Sequence, residues 1–321
     1  MTTSPSRRRS ADDRLFRLGT GIFALLVVLL VAAIGYELFK TSRLSIAKFG
    51  LAFWRTKTWD PVAGEFGALP FIWGTLYSSF LALLISTPIA LGIAIFVSEL
   101  APRSLRTPLA FLTELLAAIP SIVYGLWGIF VLVPVVRGLE THTPAWLRKV
   151  PLFSGPPLGV GMLSAGLILA VMVIPFTSSV AREVLKAVPA TQREAAYALG
   201  ATRWEAIRAA LQFGRTGILG AIILGLGRAV GETMAVTMVI GNNPQVSLSL
   251  FAPQYTMAAV IANEFTEAAD DLYLSALIEI ALVLFVITLV INALSRFLIW
   301  RVSREIKVKE PRSAGAEKAA A

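Results

Sequence analysis

The chain has 321 residues, of which 56% are hydrophobic and 15% charged, with a mean hydropathy of +0.73. A soluble domain carries about 25% charged residues, so this composition excludes a soluble globular protein. Cysteine is absent, which removes disulfides, thiolate nucleophiles and cysteine metal ligands.

The first 17 residues form a polar tail with five arginines, and a charge-free run follows from 18 to 36. That run is too long for the apolar core of a secretory signal and lacks a clear small-residue cleavage site, so a retained helix is expected at 18–39. Long apolar blocks recur along the chain, and a spanning helix needs about 20 such residues. Extended over their flanks, the blocks give six spans at 18–39, 71–98, 110–136, 157–180, 216–240 and 273–298. The expected fold is therefore all-α and polytopic, with a five-helix domain over 71–300, an outside loop at 40–70 and a charged, alanine-rich tail at 301–321. Pro88, Pro120, Pro134 and Pro175 fall inside or near spans, where they read as simple kinks.

Basic residues set the orientation. The N-terminal tail holds five lysines and arginines, residues 99–109 two, 181–215 six and the C-terminal segment seven, which puts twenty on one side. The opposite loops hold five (40–70), three (137–156) and none (241–272). Both termini are thus expected in the cytoplasm. The basic loop 40–70 pulls the other way, unless it lies along the lipid surface. The net charge of +9 is explained by membrane orientation, and no nucleic-acid partner is implied. Loop 241–272 carries Glu264, Glu267, Asp270 and Asp271 and is long enough to contact an external partner.

The stretch PATQREAAYALGATRWEAIRAALQFG (189–214) carries two capping-box signatures, Thr191 with Glu194 and Thr202 with Glu205. They predict a helix from Gln192 to Leu199, closed by Gly200 in the left-handed cap position. A second helix from Thr202 is expected to run on into the next span. Such a loop reads as a connector, a DNA-reading helix-turn-helix or a docking element. The flanking spans hold it against the bilayer and disfavour DNA.

In the fifth span, GLGRAVGETMAV (225–236) places Arg228 and Glu232 at mid-membrane. A charge there costs about 2.5–3.5 kcal/mol on insertion scales, and such residues usually serve a function. Their spacing of four puts them on one helix face, where they can pair. Gly227 and Gly231 form a G-x-x-x-G that allows close helix approach. One reading is a structural ion pair. The other is a site on a translocation path, in which a guanidinium donates two hydrogen bonds to an oxyanion. Glu37, Glu114 and Glu279 lie near span ends, where snorkelling accounts for them. His142 reads as a solvated loop residue. No phosphate-binding P-loop and no nucleophile–base or metal constellation is present. No cofactor is expected, and any ATP must be bound by another chain.

Two stretches carry a family resemblance. Glu194, Ala195, Ala196 and Gly200 resemble the "EAA" loop of type I ABC importer permeases, although Gln212–Phe213 stand where that loop usually has a leucine–proline pair. The segments 225–242, 117–132 and 247–265 resemble the C-type permease subunits of phosphate-specific ABC transporters. The resemblance implies phosphate import, with the family's membrane arginine and glutamate at Arg228 and Glu232. It also implies an ATPase-docking role for Glu194–Gly200. The partners implied are a second, homologous permease, two ATPase copies and an external phosphate-binding protein. The runners-up are a permease for sulfate or molybdate and a membrane phosphate sensor that carries no flux.

Overall fold

The computed structural model describes residues 6–307, with side chains for 16–302. Every regular element among them is helical; the extended backbone makes only two isolated bridges, Asp60–Glu65 and Gly241–Gln254. The polar tails expected at 1–17 and 301–321 lie in part outside the described residues. Inside them, α1 (Ser6–Thr41) already takes in much of the first tail, and the last helix runs on to Lys307.

After α1 comes the short α2 (Arg43–Phe49), then a 3-10 turn at Gly50–Trp54 and α3 (Leu69–Ile95), which continues as a π-helical turn to Leu100. The loop between α1 and α3 is a folded cap. Phe53 and Phe66 are fully buried there with Phe71, Met257 and Leu277, and Trp59 packs edge-on against Phe66 and Phe71 at 4.9 Å. Aromatic burial outweighs the loop's basic charge, which stays on the surface at Lys48 and Arg55.

The expected span at 110–136 is wrong in register. Pro120, which has no amide and restricts the residue before it, separates α4 (Arg103–Ala117) from α5 (Ser121–Trp127). A π turn at Gly128–Leu132 and α6 (Val133–Thr141) complete the crossing, so the span is Ser121–Thr141. The π turn directly precedes Pro134, where such a bulge absorbs the missing hydrogen bond. Pro88 and Pro175 stay inside unbroken helices. α4 buries no residue and exposes Phe111, Leu112, Leu115 and Leu116.

After α7 (Ala145–Arg148), α8 (Met162–Ala187) forms the centre of the bundle, with extensive contact to α3. α9 (Ala190–Ala198) and α10 (Arg203–Phe213) make a helical corner. α10 does not run straight into α11 (Arg215–Val230): the two meet at Gly214 with a 69° bend. The expected span 216–240 is broken again at 231–233, beyond which lie α12 (Met234–Val239), α13 (Met257–Glu264) and α14 (Asp271–Lys307). Among the described residues, five helices are long and apolar enough to cross a membrane, and the bent α10–α11 pair brings the number to six.

Between α12 and α13 the backbone folds back over the bundle. Gly161, Met162 and Leu163 amides donate to Val239, Ala252 and Leu250 carbonyls, and the Met257 amide donates to Thr75 Oγ1 at 2.9 Å. Gln254 and Met257 are fully buried. Much of the segment expected as a free outside loop is therefore built into this end of the molecule.

The core lies in three layers. Aromatic residues fill the end capped by the 42–68 loop, a middle layer joins Tyr124, Ile168, Met172, Val236 and Val239, and small residues (Ala94, Ala181, Ala221) bring helices close together near the α9 corner. Glu279 is also internal. It is 3% exposed on α14 beside Ser45 of α2, so snorkelling does not account for it. α2 folds across the carboxyl before it can reach the surface. Glu37 remains exposed and pairs with Lys40 at 3.7 Å.

Candidate functional site

The site begins with α11. This helix packs along α8 where glycines replace side chains. A Cβ at Gly217 would stand 2.7 Å from Val184, and one at Gly225 would stand 3.0 Å from Val173. By contrast, no described residue beyond the helix's own backbone lies within 4 Å of a Cβ at Gly227, and Gly231 meets only the Gly227 carbonyl at 3.6 Å. The expected G-x-x-x-G contact is therefore not made within the chain. The close approach falls at Gly217 and Gly225, one helical face away.

At the end of α11, Arg228 places its guanidinium 5.6 Å from the centroid of the Phe176 ring, a cation–π geometry. Tyr124 is close enough to feel its charge, and Tyr124 hydroxyl donates to the Leu116 carbonyl at 2.8 Å, which ties α5 back to α4. The expected Arg228–Glu232 pair is absent. The helix stops at Val230, so Glu232 no longer sits one turn along the same face. Its Oε1 instead accepts from the Ala235 amide at 3.3 Å, at the start of α12. Among the described residues Arg228 makes no ion pair, and its Nε is buried without a hydrogen-bond partner. A half-buried guanidinium set over one ring face keeps its bidentate fork for an oxyanion.

The loop 189–214 sits at the end of the bundle. The first expected capping box does not form: α9 starts at Ala190 behind Pro189, so Thr191 lies inside the first turn and makes no side-chain cap. Proline pre-sets the start of the helix and leaves the threonine no role there. The second box forms as expected, with Glu205 N to Thr202 Oγ1 at 3.4 Å and Thr202 N to Glu205 Oε2 at 2.7 Å. Gly200 adopts φ +81°, and the Gly200 and Ala201 amides donate to the Tyr197 and Ala196 carbonyls, the paired bonds of a Schellman cap. Glu194, Ala195 and Ala196 lie on α9, which buries none of its residues against this chain.

Sequence reasoning missed what anchors this corner. Arg193 Nη2 meets Glu99 Oε1 at 2.5 Å and Nε meets Oε2 at 3.1 Å, while the same guanidinium donates to the Leu185 and Val188 carbonyls at the end of α8. Arg203 adds a bond to the Glu99 carbonyl at 2.8 Å. One arginine thus joins α3, α8 and α9 through charge-assisted bonds. No spacing rule links residues 94 positions apart, so only the three-dimensional fold exposes the latch. Arg193→Ala should loosen α9 by about 1.5–3 kcal/mol, the range for hydrogen bonds to charged groups. Hydrogen exchange over 189–200 reads this; unchanged protection would show the latch to be inert. Sequence reasoning also missed Glu140, which is 1% exposed and accepts from the Gly159 amide at 2.7 Å.

The helical bundle, the bent helix pair and the exposed α9 corner define a permease of the ABC importer class. Two solved structures of the MetNI methionine ABC transporter in inward-facing conformations share this fold. Each gives a TM-score of 0.54 over 72% of this chain and 94% of that chain, at 16% and 18% identity, a likeness of fold alone. The family model for the inner membrane component of binding-protein-dependent transport systems matches residues 87–304. Phosphate transport system permease proteins PstC from Mesorhizobium japonicum, Pasteurella multocida and Haemophilus influenzae are 45%, 48% and 48% identical to this chain. They align over 92%, 91% and 91% of it and over 92%, 93% and 94% of their own lengths. The chain belongs to the family of binding-protein-dependent transport system inner membrane components, among its phosphate transport system permeases.

Proposed function

We propose that this chain is the permease that carries inorganic phosphate across a bacterial cytoplasmic membrane in an ATP-driven importer. The observation that carries the reading is Arg228, a guanidinium at mid-bundle with no carboxylate partner among the described residues, in a chain closely similar to PstC permeases. In this account Arg228 is a transient charge complement for a tetrahedral oxyanion. Glu232, across the break at Gly231, sets the charge balance of the path rather than clamping the arginine. Binding there is weak, because an alternating-access site must also release.

The assembly is proposed to contain a similar second permease, two ATPase copies and an external phosphate-binding protein. α9, with Glu194, Ala195, Ala196 and Gly200, is the surface offered to the ATPase; the exposed small side chains let a partner approach the backbone. Gly227 and Gly231, bare toward this chain, suit close packing by the second permease. The excess of basic residues places the α9 corner and both termini in the cytoplasm, and exposed apolar side chains along α1 and α4 face lipid or the second permease. In the division proposed for the chain, the family domain begins in the second span and α1 is an N-terminal addition packed along α14.

Labelled phosphate uptake tests the cargo, in cells that hold the complete system with or without this chain and with sulfate or molybdate as competitor. Uptake should require the chain and ignore both competitors. Full competition by sulfate at equal concentration would assign the path to another oxyanion.

A further inference from the structure

Arg182 lies on the same helix as Phe176, six residues and about 9 Å further along the axis, toward the α9 corner. It is 4% exposed. Its Nη2 meets Glu114 Oε1 at 2.6 Å and Glu183 Oε1 at 2.9 Å, yet Nε and Nη1 are buried without partners. A buried charged donor left unsatisfied is costly, and proteins seldom keep one without a ligand or ordered water.

Beside it is a cavity of about 470 Å³, lined by Arg182, Glu183 and Lys186 of α8, Arg106 and Glu114 of α4, and Ser98 of the π turn. Two walls suit an anion. Arg106 and Lys186 are exposed at its rim. Arg106 Nε donates to the Ala101 carbonyl at 3.0 Å and Lys186 pairs with Glu183 at 3.1 Å, so an anion recruits them by exchange with these contacts. The Ser98 hydroxyl is already donated to the Ala94 carbonyl at 2.8 Å. Three cations face two carboxylates, and both Glu114 and Glu183 are more than half exposed and can swing away. The cavity is large enough for a tetrahedral oxyanion with its water, and a guanidinium fork fits that geometry.

We propose that this cavity is a second oxyanion site, distinct from Arg228, in which Arg182, assisted by Arg106 and Lys186, takes a soluble phosphate-class anion from the α9 side of the bundle. The inference rests on the proposed function only for its choice of phosphate as cargo and for calling the α9 side cytoplasmic. As an inner station it holds the anion after Arg228 has released it, or it reads the phosphate already inside.

The test uses the complete transporter in phosphatidylcholine nanodiscs, with line broadening of the phosphorus resonance of millimolar inorganic phosphate as the readout of weak binding. The forms compared are wild type, Arg228→Gln, the double variant Arg106→Gln/Lys186→Gln and Arg182→Lys. Both residues of the double variant are at the surface, so it should assemble normally; Arg182→Lys keeps the charge and removes the fork. Arg228→Gln should retain the broadening, whereas the double variant and Arg182→Lys should each lose about tenfold in affinity, the worth of one charge-assisted contact. Equal broadening in the double variant and in wild type overturns the proposal, as does loss of all broadening in Arg228→Gln. Exchange of the lipid for phosphatidylglycerol separates a free anion from a headgroup: if the anionic lipid abolishes the phosphate signal, the occupant is a lipid headgroup and the soluble-anion assignment falls. Transport by Arg228→Gln is a separate readout, so normal uptake would overturn the role of Arg228 while leaving this site standing.

Discussion

Gly200→Val is expected to leave the permease inserted in the membrane and to uncouple it from ATP hydrolysis. The reason is backbone handedness rather than bulk. Gly200 holds φ +81°, and among the described residues none but its chain neighbours lies within 4 Å of a Cβ built there. A β-branched residue in that conformation costs about 1–3 kcal/mol, enough to break the two cap bonds from Gly200 and Ala201 and fray the end of α9. The bonds that tie this corner to α3 and α8 run from Arg193 and Arg203 and not from Gly200, so insertion of the spans is expected to be untouched. Asparagine tolerates the left-handed region, so Gly200→Asn should keep most of the coupling. The measurement is co-purification with the ATPase, together with phosphate-stimulated hydrolysis, for both variants. Equal loss in valine and asparagine variants would mean that the partner needs the bare glycine surface, and the strain account would fail.

Gly74→Val should have the largest effect on folding. Gly74 lies on α3 against the segment that returns between α12 and α13; a Cβ there would come within 2.9 Å of the Tyr255 carbonyl carbon and closer still to its oxygen. That obstacle is backbone, pinned on one side by the bond from the Met257 amide to Thr75 Oγ1, so it cannot turn aside as a flexible side chain would. Overpacking of this kind costs about 1–3 kcal/mol, occasionally more, and it strikes the aromatic layer that includes Phe71, Tyr255 and Met257. The expected result is a clear fall in thermal stability and in the amount of folded protein in the membrane. Gly92→Val on the same helix, where nothing lies within 4 Å of a Cβ, is the matched control and should behave as wild type.

Much of the fold was legible because the bilayer is a demanding solvent. Long charge-free runs predict spans, and five of the six expected positions hold a crossing helix or a large part of one. Broken helices were not legible, since hydropathy averages over the very residues that interrupt a span. Pro120 carried a local signal that the apolar windows on both sides concealed, as did the bend at Gly214, and the interruption at 231–233 moved Glu232 off the face that a spacing of four assigns to it. The same limit governs the site. Arg228 stands out as a charge in an apolar run, and Gly200 as a cap after a helical pattern. The groups that bind elements far apart in sequence, Arg193 with Glu99 and Arg182 with Glu114, leave no mark at any short spacing. Each looks like an ordinary loop or end charge until the helices bring the partners together. Glu279 was misread for the same reason, because α2, which covers it, begins more than 200 residues earlier.

The central claim is that Arg228 lies on the phosphate path. It is tested most directly by labelled phosphate uptake in cells holding the complete system, with wild type and Arg228→Gln at equal membrane levels and equal recovery of the assembled complex. The account predicts that glutamine, which keeps hydrogen-bonding capacity but loses the charge and the fork, reduces uptake to the level of cells without this chain. Uptake at the wild-type rate would contradict it: the arginine would then be a packing group against Phe176, and the path would have to run elsewhere.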